Sequence, residues 1–222
     1  MRVSDFNFGE PSQRDGIKPT SVQKIFYHKG SQVLFNTLCS KAHVRHPGVL
    51  ESVIELGVEI AREGREGRRI GTIFTVGDHG AVLERSRSLI LDPLAGHADD
   101  CKHITNPNLR GTVKELAQLD GGFIVSDDGV VISACRYLDA TASNVELAFG
   151  LGSRHLAGAS VSRVTCAVAV VISESSMVRV FERGTLIGEI IPEVWLMNRH
   201  NVQLRGAVTE EHEGDMTVLT TQ

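Results

Sequence analysis

Thr165-Cys166-Ala167-Val168-Ala169-Val170-Val171-Ile172 is the stretch on which the fold turns. It is near-continuously apolar and rich in β-branched residues, and it stops at Ser173-Glu174. Eight residues are too few to cross a bilayer, which needs about 20. An apolar run of this length reads as a central strand covered on both faces. Downstream, Met177–Phe181 and Leu186–Ile190 read as two further strands joined by a turn at Arg183-Gly184. Upstream, Ser153–Ser162 reads as a helix entered from a glycine loop, and Ser143–Phe149 as a shorter one. Gly122–Ser126 and Val130–Arg136 read as a hairpin around Asp127-Asp128-Gly129. Asn106-Pro107 is a cap followed by proline at the first helical position, with Leu109, Val113, Leu116 and Ala117 on one face. Ile70–Val76 reads as a strand and Ala81–Leu91 as a helix. Leu50, Val53, Ile54, Gly57, Val58 and Ala61 form a helical stripe that Pro47 starts and Gly64 stops. Helices and strands interleave, but with hairpins. The expected class is therefore α/β, a mixed β-sheet flanked by helices.

Composition bounds the function. The 222 residues are 41% hydrophobic and 23% charged, which suits one sizeable core and excludes dominant disorder. Aromatics are only 5%, so aliphatic side chains must fill that core. With 23 basic and 27 acidic residues the formal charge is −4, and general nucleic-acid binding is not expected. There is no membrane-length apolar run and Met1–Thr20 carries no signal-peptide core, so a cytoplasmic protein is expected. Cys39, Cys101, Cys135 and Cys166 form no CxxC pair, and the last two, in apolar runs, read as buried thiols. We expect an N-terminal extension over 1–47, one domain over 48–192 and a polar tail over 193–222, acidic at Glu210, Glu211, Glu213 and Asp215.

Three segments carry chemistry. Asp120-Gly121-Gly122 joins a helix end to a strand start; its carboxylate suits a divalent cation or a proton, and its glycines admit a close ligand. A helix stop with a polar turn would look the same. Gly150-Leu151-Gly152-Ser153-Arg154-His155 leads into a helix, offering backbone N–H groups, a hydroxyl and cations to a polyphosphate. It matches neither a Walker A loop nor the dinucleotide fingerprint. Ser173-Glu174 puts a carboxylate at the end of the buried strand, where open α/β sheets bind ligands. His97, Asp99, Asp100, Cys101 and His103 are metal-capable types in one loop, but without a second ligand pair they read as solvated, as do Arg65, Arg68 and Arg69.

The order of these segments is more specific than any one of them. Asp-Gly-Gly at a strand start, a hairpin carrying Arg136-Tyr137-Leu138, Gly-Ser-Arg-His about thirty residues after the aspartate, then Val170-Val171-Ile172-Ser173-Glu174, resembles the diadenylate cyclase domain over residues 48–192. That family is marked by Asp-Gly-Ala, by Gly-Thr-Arg-His-Arg and by a buried strand ending in Ser-Glu. The chain is most similar to the stand-alone archaeal-type members. The resemblance implies a mixed sheet flanked by helices and condensation of two ATP into cyclic di-AMP with release of pyrophosphate. It also implies dependence on Mn²⁺ or Mg²⁺, and a homo-oligomer in which two subunits face each other and each presents one ATP.

Carried over by position, the resemblance implies catalytic roles for Asp120, Arg154 and His155 and metal ligation by Asp120 and Glu174. It implies nucleotide contacts from Gly121, Gly122, Gly152, Ser153, Arg154, His155, Ser173 and Glu174, with Tyr137 and Leu138 bordering the adenine. Gly122 stands where the family has alanine, Leu156 where it has a second arginine, and Ser175 where many members have a second glutamate. Those departures motivate an alternative, an adenine-nucleotide-binding regulatory module with weak or no turnover.

Overall fold

The computed structural model describes residues 38, 39, 42, 44–139, 141, 145 and 150–192, and the backbone of two strands within 208–221. The expected sheet is present. β1 (Thr72–Val76) lies at its centre, with parallel β3 (Gly122–Val125) on one side and antiparallel β5 (Val168–Ile172) on the other. The full order is β2-β4-β3-β1-β5-β6-β7, where β2 is Ser86–Ser88, β4 Val131–Leu138, β6 Val178–Glu182 and β7 Thr185–Ile190. All contacts besides β1–β3 are antiparallel, so the sheet is mixed.

The pleat explains the two-sided core. Phe74, Val76, Phe123, Val125, Val168, Val170 and Ile172 point to one face, where α1 (Pro47–Glu63) and α3 (Pro107–Leu116) cover them. Ile73, Ile124, Ala169, Val171 and Phe181 belong to the other face, under α2 (His79–Glu84) and α4 (Ser153–Val164). Phe74 and Phe123 stack across the parallel pair with centroids 4.8 Å apart. Every residue of β1 and β5 is buried, as the apolar run at 165–172 predicts. On α4, a methyl at Gly158 would lie 2.7 Å from Val171 Cγ2, so the missing side chain lets this helix sit close against β5.

Helix ends follow the punctuation. Pro47 opens α1, and the chain leaves it at Gly64, whose φ of 54° suits glycine. Asn106 Oδ1 accepts the Asn108 N–H at 3.0 Å and caps α3. One element differs. The expected helix over Ala81–Leu91 stops at Glu84, and Ser86–Ser88 pairs with Arg136–Leu138 instead. Arg136 donates to Ser86 Oγ and to the Ser86 carbonyl, so tertiary pairing overrides the local periodicity. Leu89, Ile90 and Leu91, which created that periodicity, are exposed. Cys166 is exposed rather than buried, because the strand proper starts only at Val168, whereas Cys135 is buried as expected.

The expected helix over Ser143–Phe149 and most of the N-terminal extension lie outside the described residues. Within the polar C-terminal segment, where the sequence suggests no element, β8 (Val208–Glu213) and β9 (Met216–Thr221) pair as a hairpin. Among the described residues no helix is long and apolar enough to cross a membrane.

Candidate active site

The topology gathers the three chemical segments at one end of the sheet. Because β5 runs against β1 and β3, its carboxyl end meets their amino ends, with Thr72 opposite Ile172 and Ile73 opposite Gly122. Glu174 therefore emerges beside Gly71 and Asp120. The site sits at the amino ends of the parallel pair, not at their carboxyl ends as in a doubly wound sheet. The start of α4 is brought to the same edge.

Asp120 leads into β3 through Gly121, whose φ is 103° and whose absent Cβ would fall 2.7 Å from the Cys135 carbonyl carbon. Only glycine fits there. At Gly122 a Cβ would lie 2.5 Å from Ile73 Cγ2 and 2.8 Å from the Ile73 carbonyl oxygen. The family's alanine is therefore not simply trimmed here: β1 and β3 approach too closely for it. The Asp120 side chain is 92% exposed, and Arg154 Nη2 lies 4.0 Å from its Oδ1.

Arg154 is the hub. Its Nη1 donates to Glu174 Oε1 at 2.9 Å while its Nη2 faces Asp120, so one guanidinium spans two carboxylates from distant parts of the chain. Gly71 makes room for it: a Cβ at that position would stand 2.7 Å from Arg154 Nη1. Gly71 was not legible as a site residue, since its role lies wholly in what packs above it. Gly152 caps α4 with no side-chain hydrogen bond among the described residues, the first turn holds no acidic residue, and Gly152 and Ser153 are exposed. The positive end of the helix is thus open to an anion. Leu156 is part-exposed on the same turn.

His155 is placed differently from Arg154. It is only 6% exposed, with its ring edge toward Phe181 and its Nε2 3.1 Å from Arg179 Nη1. Burial, then the positive charges of Arg179 and Arg154, hold its pKa below the ordinary histidine value. From beneath the loop the ring braces the helix start, in surroundings that disfavour its protonated form. Arg179 in turn donates to Glu189 Oε1 at 2.5 Å. Both were missed in the sequence, where the signal for Arg179 was a charged residue in strand phase with Phe181.

Ser173 is buried, and its hydroxyl is shared with Ser175 Oγ at 2.6 Å and the Met177 carbonyl at 3.3 Å, so it closes the turn carrying Glu174. Tyr137 and Leu138 are adjacent in β4 and face opposite ways. Leu138 is buried with Ile73, Val82 and Ile124, while Tyr137 is part-exposed under the Arg87 guanidinium, 4.6 Å from its ring centre. The structure brings only Tyr137 to the surface. In the histidine-rich loop, His103 bonds Thr105 and the Asp128 carbonyl, and Lys102 pairs with Asp99.

Among the described residues no group of three or more metal-ligating side chains converges. Asp120 and Glu174, the two carboxylates that face Arg154, are of the donor type that a hard divalent cation takes singly or in pairs, completing its shell with water and phosphate oxygens.

A mixed sheet with an exposed aspartate, a cationic hub and an open helix start at one end defines an α/β domain whose site suits an anionic ligand. Residues 59–186, more than half of the chain, match the family described as DisA bacterial checkpoint controller nucleotide-binding, and the chain belongs to that family. It is 46% identical over 183 residues to the diadenylate cyclase of Methanocaldococcus jannaschii, covering 82% of this chain and 57% of that protein. It is 40% identical over 151 residues to the diadenylate cyclase of Haloferax volcanii, covering 67% of this chain and 55% of that one. The chain thus spans a little over half the length of these curated relatives. Among solved structures it is similar to a double-cysteine mutant of DacA from Staphylococcus aureus, at 21% identity and a TM-score of 0.45, covering 69% of this chain and 95% of that one.

Proposed function

We propose that this chain is a diadenylate cyclase that condenses two ATP molecules into cyclic di-AMP and two pyrophosphates. The observation that carries the reading is the Arg154 guanidinium held between Asp120 and Glu174 at the open amino end of α4. That three segments marking the family meet at one end of the sheet supports the reading.

Each turn of the reaction joins a ribose 3′-oxygen to the α-phosphorus of the facing nucleotide. The bond from that phosphorus to the β-phosphate bridging oxygen breaks, and pyrophosphate leaves. Two such displacements close the ring. Asp120, exposed and unburdened by a short ion pair, is placed to take the 3′-hydroxyl proton. Arg154, the α4 N–H groups and the Ser153 hydroxyl orient the phosphates and balance charge as it moves to the leaving group. Gly121 and Gly122 let the nucleotide approach the strand backbone. Asp120 and Glu174 would hold Mg²⁺ or Mn²⁺, which supplies charge neutralisation on the triphosphate when bound. The exposure of Asp120 supports a site that a second subunit closes, so turnover per protomer should rise with protein concentration.

The test is incubation of purified chain with ATP and Mn²⁺ or Mg²⁺, with products read by mass spectrometry. Cyclic di-AMP and pyrophosphate are expected. Nucleotide binding without pyrophosphate release would instead identify a regulatory module, the reading Leu156 favours by occupying the position of the family's second arginine.

A further inference from the structure

Beneath the Arg154–Glu174 pair lies a second connection between the same two segments. Arg179 Nη1 is 3.1 Å from His155 Nε2 and 3.5 Å from Ser173 Oγ, and its Nε bonds Glu189 across the β6–β7 pair. His155 is the residue after Arg154, and Ser173 the residue before Glu174. One guanidinium, anchored by a carboxylate, therefore touches the neighbours of both members of the ion pair above it. Its side chain is only 14% exposed.

The direction of the His155 bond is not a matter of choice. A guanidinium has five donors and no acceptor, so Nε2 must accept, and the ring proton resides on Nδ1. Nδ1 is itself buried and has no partner among the described residues. The ring orientation thus depends on Arg179 and the edge contact with Phe181. We propose that Arg179 is a positioning residue: by donating to His155 Nε2 it fixes the Nδ1–H tautomer and locks the first turn of α4, where Ser153 and Arg154 face the nucleotide. What the loop binds rests on the cyclase reading above; the tautomer and its cause do not.

The experiment has two arms. Long-range ¹H–¹⁵N correlation of labelled protein without nucleotide, with the ring assigned through His155→Gln, reads the tautomer. Steady-state cyclase assays read kcat and KM separately. Wild-type protein at pH 8 is expected to show Nδ1–H only. Arg179→Met is expected to bring in the Nε2–H form and to lower kcat by about 10–100-fold, the usual cost of removing a group that orients another. Arg179→Lys, which keeps one donor and the charge, is expected to recover most of both. An Nε2–H ring in the wild type, or a folded Arg179→Met with unchanged tautomer or unchanged kcat, overturns the proposal. If Arg179→Met does not fold, Ser173→Ala and Glu189→Gln, each removing another hold on the guanidinium, are read the same way. If the wild type makes no cyclic dinucleotide, the cyclase reading falls, while the tautomer arm still decides what Arg179 does.

Discussion

Two clusters in this molecule share one chemistry and differ in completeness. Between α1 and α3, Glu59 Oε1 takes Arg110 Nη2 at 2.6 Å, its Oε2 takes Lys114 Nζ at 3.0 Å, and Lys114 also reaches Glu63 at 2.9 Å. Arg110 spends a further N–H on the Ser52 carbonyl. At the end of the sheet, Arg154 also spans two carboxylates, but only Glu174 is within hydrogen-bond distance, and Asp120 stands 4.0 Å off and almost wholly exposed. The first cluster has its valences filled by the protein and ties two helices together. Among the described residues, the second leaves an aspartate, a helix start and part of a guanidinium unspent. Charge alone does not mark a site; unsatisfied, solvent-facing charge of fixed geometry does.

The sharpest way to break the comparison is Asp120→Asn. Cyclic di-AMP formation should fall by about 100-fold or more, the contribution of a general base, while the melting midpoint stays where it was, since no short bond is lost. An equal loss of stability would make Asp120 a structural residue like Glu59. Gly71→Ala comes next. The new methyl cannot share space with Arg154 Nη1, so the end of this long side chain must shift, and its bond to Glu174 is expected to weaken. About a tenfold loss of turnover is expected, again with a melting midpoint within about 2 °C of wild type. An Arg154–Glu174 pair that survives in a crystal structure of the variant would refute the steric reading.

Arg110→Met should do the reverse. It leaves Glu59 half-buried with one partner fewer, a loss of about 1–3 kcal/mol, visible as a lower midpoint in urea, with turnover of the folded enzyme kept. The pH behaviour follows. Burial alone raises the Glu59 carboxyl, yet hydrogen bonds and charges from Lys114 and Arg110 carry it below its ordinary value. A lowered carboxylate pKa stabilises the fold above the unfolded value and loses that contribution as pH falls through the folded one. The acid limb of wild-type stability should therefore flatten in Arg110→Met.

Much of the fold was legible because strand and helix periods differ. The run at 165–172, the helix opened by Pro47 and closed by Gly64, and the capped helix after Asn106 all declare themselves locally. Ser86–Ser88 did not, because a three-residue edge strand exists only through its bonds to Arg136–Leu138. Asp120, Arg154 and Glu174 were legible by residue type and order, and the topology brings them together. What sequence could not rank was inside against outside. Arg154 and His155 are neighbours with opposite fates, and Tyr137 and Leu138 point to opposite faces of one strand. Gly71 and Arg179 act only through three-dimensional neighbours.

The smallest expected effect tests the inside member of that pair. Burial first, and the charges of Arg179 and Arg154 next, hold the folded pKa of His155 below the unfolded value of about 6.5. Below that pH the unfolded chain binds a proton that the folded chain refuses. The stabilisation is thus complete above about pH 6.5 and is lost as pH falls toward the folded pKa. Urea unfolding between pH 7.5 and about 5 should show that slope in the wild type and a shallower one in His155→Gln. Arg179→Met should lie between them, since removing the second cause leaves burial, the largest, in place. Identical slopes for wild type and His155→Gln would place the proton elsewhere and return His155 to the surface of the loop, alongside Arg154.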